Sequence, residues 1–98
     1  MRVQEEVTHD GVVFLISTVR LPSLGYNDHE FPFETMVFFD RFEDPNVQIL
    51  RDIYEIETVG NLHDLYAERY KTETEALSGH SQAVDLVKQG YIKLPDKH

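Results

Sequence analysis

One segment of this 98-residue chain restricts its fold more than any other. Thr72-Glu73-Thr74-Glu75 opens a regular stretch that stops at Gly90. A threonine three residues ahead of a glutamate is a capping box: the Thr72 hydroxyl accepts from the Glu75 backbone N–H, and Glu75 reaches back. The helix predicted from it runs to about Gln89, with Ala76, Leu77, Ala83, Val84 and Val87 on one face. Glu73 and Glu75 suit the positive end of its dipole and Lys88 the negative end. Gly90 supplies the left-handed residue that ends it. A lone helix with one apolar face must bury that face on something, and the rest of the chain reads as strands.

Arg2 to Val7 and Val12 to Arg20 form the predicted first hairpin, around His9-Asp10-Gly11. Asp-Gly is a strong turn signal because a type I′ turn needs positive φ at both central residues. In the second arm Val12, Phe14, Ile16 and Thr18 share one face, and Val13, Leu15, Ser17 and Val19 share the other. Both faces begin apolar, which predicts a central strand covered on both sides near its start. Pro22 to Pro32 carries Gly25, Asn27 and two prolines and reads as a loop, its aromatics folding back over the sheet edge. Glu34 to Phe39 is the third predicted strand, and Asp40 to Asn46 a turn. In Val47 to Val59 the isoleucines 49, 53 and 56 keep helical spacing, yet Ile53 to Val59 is dense in β-branched residues; the reading favours a strand over Ile53 to Thr58. Leu65 to Lys71 is a further strand, and Tyr91 to Leu94 a short edge strand. The expected architecture is one α+β domain over residues 1–98: an antiparallel sheet of four or five strands with one C-terminal helix packed on one face, through Leu77, Ala83, Val84 and Val87. The other face is left without a predicted helix, and an apolar face of that kind calls for a partner, such as a second copy.

Composition narrows the function classes. Six Phe and five Tyr can supply most of a core, and the absence of cysteine removes disulfides, thiolate zinc sites and a cysteine nucleophile. Residues 1–6 carry no apolar run of signal-peptide length, and the longest apolar run, Val12 to Ile16, is far too short to span a bilayer. A cytoplasmic protein is the simplest expectation. Eighteen acidic against nine basic residues give a net charge of −9. That bias repels nucleic-acid backbones and anionic membranes and favours a basic protein partner.

The search for chemistry is mostly negative. No two of the five histidines lie three or four residues apart, as helical metal ligands would, so no metal or cofactor is expected. His63-Asp64 and Asp28-His29-Glu30 read as polar loop residues. Ser78-Gly79-His80-Ser81 lacks the strand-to-helix elbow of a catalytic serine. His80 flanks the helix core face, four residues from both Ala76 and Val84. Its expected role is a hydrogen bond to a neighbouring strand or tyrosine, with proton transfer as the competing reading. Gly79, costly inside a helix, is expected where the helix sits close on a strand. No catalytic residue is assigned, and the chain is not expected to be an enzyme. The carboxylates Asp52, Glu55, Glu57, Asp64 and Glu68 are the candidate partner-binding surface.

Two stretches carry a resemblance: Phe33-Glu34-Thr35-Met36-Val37-Phe38, and Glu68-Arg69-Tyr70 continuing through the capping box to Gly79-His80. The pattern resembles small bacteriophage and prophage proteins that pair a FETMVF-like strand with an ERY strand-to-helix junction. The N-terminal hairpin and Asp40 to Asn61 fall outside it. The resemblance carries no activity with it; by analogy with small acidic accessory phage proteins, the expectation is a phage-type accessory protein working in the host cytoplasm by binding, or inhibiting, a host protein. The alternative is an assembly protein that self-associates, for example as a homodimer, through the uncovered sheet face.

Overall fold

The computed structural model describes residues 1–22, 30–47 and 65–94. Four strands form one antiparallel sheet in sequence order: β1 (Arg2–His9), β2 (Val12–Arg20), β3 (Phe33–Phe42) and β4 (Tyr66–Tyr70). Among the described residues the main helix, α1 (Glu73–Lys88), packs on a face of this sheet. The α+β expectation holds. The predicted strand over Ile53 to Thr58 and the aromatic Tyr26 lie outside the described residues.

The hairpin forms as its turn residues dictate: Asp10 and Gly11 have φ of 51° and 77°. Register then follows from a two-residue turn, with His9 opposite Val12 and Val7 opposite Phe14. β2 is flanked by β1 and β3, and Val13 and Phe14 are both buried, so it is covered on both faces near its start. β3 runs three residues beyond the expected Phe39, into the predicted turn. A bulge makes this possible. Val13 pairs with Arg41 and Phe14 with Phe39, leaving Asp40 as the extra residue. The slip returns Phe42 to the helix side, where it pairs with Val12 and lies 5.1 Å from the Phe39 ring.

The core lies between sheet and helix: Val7, Phe14, Ile16 and Val37 below, Ala83, Val84, Val87 and Ile92 above. Leu77 is a correction. It is exposed, and the buried face is Ala76, Gly79, His80, Ala83, Val84 and Val87. Gly79 explains the rotation. A Cβ there would run into the Tyr70 ring, 2.7 Å from Cε2 and nearer still to its hydroxyl end. The helix therefore seats β4's tyrosine at its glycine and turns Leu77 outward.

Both helix ends follow local rules. The Thr72 hydroxyl accepts from the Glu75 N–H at 3.1 Å. At the other end Tyr91 N–H donates to Leu86 O and Gly90 N–H to Val87 O, with Gly90 at φ 80°. These are the two bonds of a Schellman motif. It corrects the second expectation: Tyr91 to Leu94 is not a strand. The turn points Ile92 back into the core, and Ile92 N–H also donates to Leu86 O.

Candidate functional site

The row Val3–Thr18–Thr35–Glu68 crosses the sheet on the helix side, and the row Glu5–Ile16–Val37–Tyr66 lies next to it. His80 comes down from α1 between them. Its Nε2 is 2.8 Å from Glu5 Oε1 and its Nδ1 is 2.7 Å from Thr18 Oγ1. Thr18 Oγ1 is 2.6 Å from Thr35 Oγ1. A carboxylate can only accept, so Nε2–H donates to Glu5. With the imidazole in its neutral form, Nδ1 accepts from the Thr18 hydroxyl, whose oxygen accepts from Thr35; with both ring nitrogens protonated, Nδ1–H donates to Thr18 and Thr18 donates to Thr35. Four side chains from four elements thus share one directed chain of hydrogen bonds.

Carboxylate, imidazole and hydroxyl in this order are the parts of an activated nucleophile. The geometry closes that use. Thr18 and Thr35 are 0% exposed, His80 is 5% exposed, and only the Glu5 end meets solvent. A substrate carbonyl cannot approach a hydroxyl covered by the helix. What the array does is satisfy polar groups that would otherwise be buried without partners. It also ties α1 to three strands in one register. His80 therefore bonds to neighbouring strands, as expected; Glu5 and Thr18 as its partners, and Thr35 behind Thr18, come from the structure alone. The available signal was Thr18, a hydroxyl ending the apolar face Val12–Phe14–Ile16.

Beside the array, Tyr70 lies against Gly79. Its phenol is pushed up to about 12, first by burial, then by the adjacent Tyr66 and the Glu68 carboxylate. On the outer sheet face Arg41 bridges Glu6 at 3.1 Å and also contacts Asp40. The hydrogen bond and charge of Arg41 hold Glu6 below the usual carboxylate range.

Of the predicted partner-binding carboxylates, Asp52, Glu55, Glu57 and Asp64 lie outside the described residues. Glu68 is exposed on β4, at one edge of the sheet. The described structure brings a different acidic group together. At the hairpin end, Asp10, Glu43 and Asp44 rim a cavity of about 350 Å³, with Val12, Phe42, Val47 and Leu94 among its lining. Glu43 N–H donates to Gly11 O at 2.8 Å, which fixes this rim to the β1–β2 turn. Asp44 accepts from the Asn46 N–H at 2.9 Å. Among the described residues no group of three or more His, Asp or Glu side chains could hold a metal ion. No described helix is long and apolar enough to cross a membrane.

Fold and site together define a class: a two-layer α+β domain with a closed polar array in its core and an acid-rimmed apolar notch at one end. Comparison with known proteins finds no family model, no curated protein and no solved structure that matches the chain.

Proposed function

We propose that this chain is a protein-interaction module that takes a basic partner through its acidic surface. The observation that carries the reading is the notch. An apolar lining with three carboxylates on its rim suits an aromatic or aliphatic side chain flanked by Lys or Arg. The net charge of −9 steers such a partner toward it. The resemblance to phage proteins supports an accessory role against a host protein. The buried hydroxyls of the array serve packing in this reading, and the notch carries the binding.

The test is an NMR titration with two short peptides, one carrying Phe between lysines and one carrying Phe between glutamates. The basic peptide should shift resonances of Gly11, Phe42 and Glu43, and the effect should fade at high salt. Glu43→Lys with Asp44→Lys should abolish it; equal binding of the acidic peptide would sink the reading. The second reading, self-association through the outer sheet face, is favoured by Leu15, Val19, Met36 and Phe38, which are half-buried there. A mass of one copy at high concentration would dismiss it.

A further inference from the structure

The two ends of the sheet differ in chemistry. At the hairpin end lie Asp10, Glu43 and Asp44 around their apolar notch, with Lys93 beside Leu94. The other end is formed by the start of β1, the end of β2, the start of β3 and the end of β4. It carries the Met1 amino group, Arg2, Arg20, Arg69 and Lys71 against Glu30, Glu34 and Glu73, with Arg69 paired to Glu34. Arg20 lies over the Phe33 ring at 5.8 Å and Lys71 over the Phe31 ring at 5.3 Å. Among the described residues neither cation has a carboxylate partner. Phe31 is 40% exposed. The helix adds to the same polarity: its positive end follows β4, and Gly90 at its negative end lies against His9. β2 separates the two ends by about 27 Å, several Debye lengths at physiological salt, so they do not neutralise each other within one copy.

We propose that the chain associates head to tail, with the Phe31–Lys71 end of one copy seated in the acid-rimmed notch of the next. This rests on the notch reading above; the occupant is recognised by the local charge of its basic end, against the mutual repulsion of two chains of net charge −9. An exposed aromatic ring carrying an ammonium on its face is the unit that an apolar cavity rimmed by carboxylates accepts. A cavity of about 350 Å³ holds a single aromatic side chain. The contact is heterologous, so each copy keeps one free donor end and one free acceptor end, and the product is a chain or ring. An end face four strands wide and two layers deep covers only about 400 Å². Standard interfaces bury roughly 800 Å² per partner, so the association is weak and salt-sensitive.

Sedimentation velocity over a wide concentration range tests this, with two variants of exposed residues whose folding is checked by circular dichroism. F31S/K71E removes the donor end and E43K/D44K removes the acceptor end. The parent should grow beyond one copy with concentration at low salt and return to 11.4 kDa at high salt. Each variant alone should stay single. Their equimolar mixture should form a 1:1 dimer and nothing larger, because only one productive contact survives. A parent that stays single, a mixture that stays single, or variants that still assemble alone would each overturn the proposal. The basic peptide separates the two readings. If F31S/K71E binds it while the parent stays single, the module stands and head-to-tail association falls. If neither protein binds it, both fall.

Discussion

Thr18→Val tests the buried array most directly. Valine keeps the shape and removes one hydroxyl that serves two bonds, 2.7 Å to His80 Nδ1 and 2.6 Å to Thr35 Oγ1. The substitution strands two buried groups at once, the imidazole lone pair and the Thr35 O–H. Each stranded group costs about 1–3 kcal/mol, so the loss should be about 2–6 kcal/mol. For a domain of this size 1 kcal/mol moves Tm by about 4–8 °C, and a fall of at least about 8 °C is expected. Thr35→Val should be milder, about 1 kcal/mol, because Thr18 can still donate to His80. The double variant should cost no more than Thr18→Val alone, since the Thr35 hydroxyl leaves together with its acceptor. Urea unfolding of the parent, both single variants and the double variant, with unchanged m, gives the coupling. Strict additivity, or a Thr18→Val protein within about 0.5 kcal/mol of the parent, would refute the directed chain.

Three further outcomes follow from the packing. Tyrosine absorbance titrated against pH should show one phenol ionising near 12, lost in Tyr70→Phe. The fold favours the neutral phenol, so this contribution is intact below about pH 10 and is lost as pH rises toward 12. Gly79→Ala should push the Tyr70 ring off the helix and move that titration back toward 10; an unchanged curve would show that the ring does not rest on Gly79. Gly90→Ala should lose about 1–2 kcal/mol in chemical unfolding, because φ is 80° and the new Cβ would sit 2.9 Å from His9 Nε2; a neutral result would contradict the left-handed cap.

Much of the fold was legible because its signals are local. Asp10-Gly11 turns the hairpin, Thr72 opens the helix and Gly90 closes it, each through backbone torsions and bonds spanning a few residues. The alternation in Val12–Arg20 likewise separates its two faces without reference to the rest of the chain. Three features escaped because their causes lie far away in sequence. Leu77 and Gly79 lie on opposite flanks of the apolar helix face, and the Tyr70 ring on β4 drew the glycine flank inward and left Leu77 out. Tyr91 to Leu94 has strand-like composition, but the Schellman turn sends Ile92 into the core before any edge is offered. β3 continues past Phe39 because a bulge against β2 brings Phe42 back to Val12.

The same division applies to function. The acid excess, the missing cysteines and the suspicion that His80 is held by a strand could be read from residues alone. Only the tertiary structure decided what His80 holds, since its partners stand 62 and 75 residues away. It also decided which described carboxylates gather around an apolar cavity: Asp10 comes from one turn and Glu43 and Asp44 from the end of a strand pairing beside it. Charge is a property of composition. A surface that can grip a side chain needs carboxylates and apolar atoms from distant segments at one place, and only strand register puts them there.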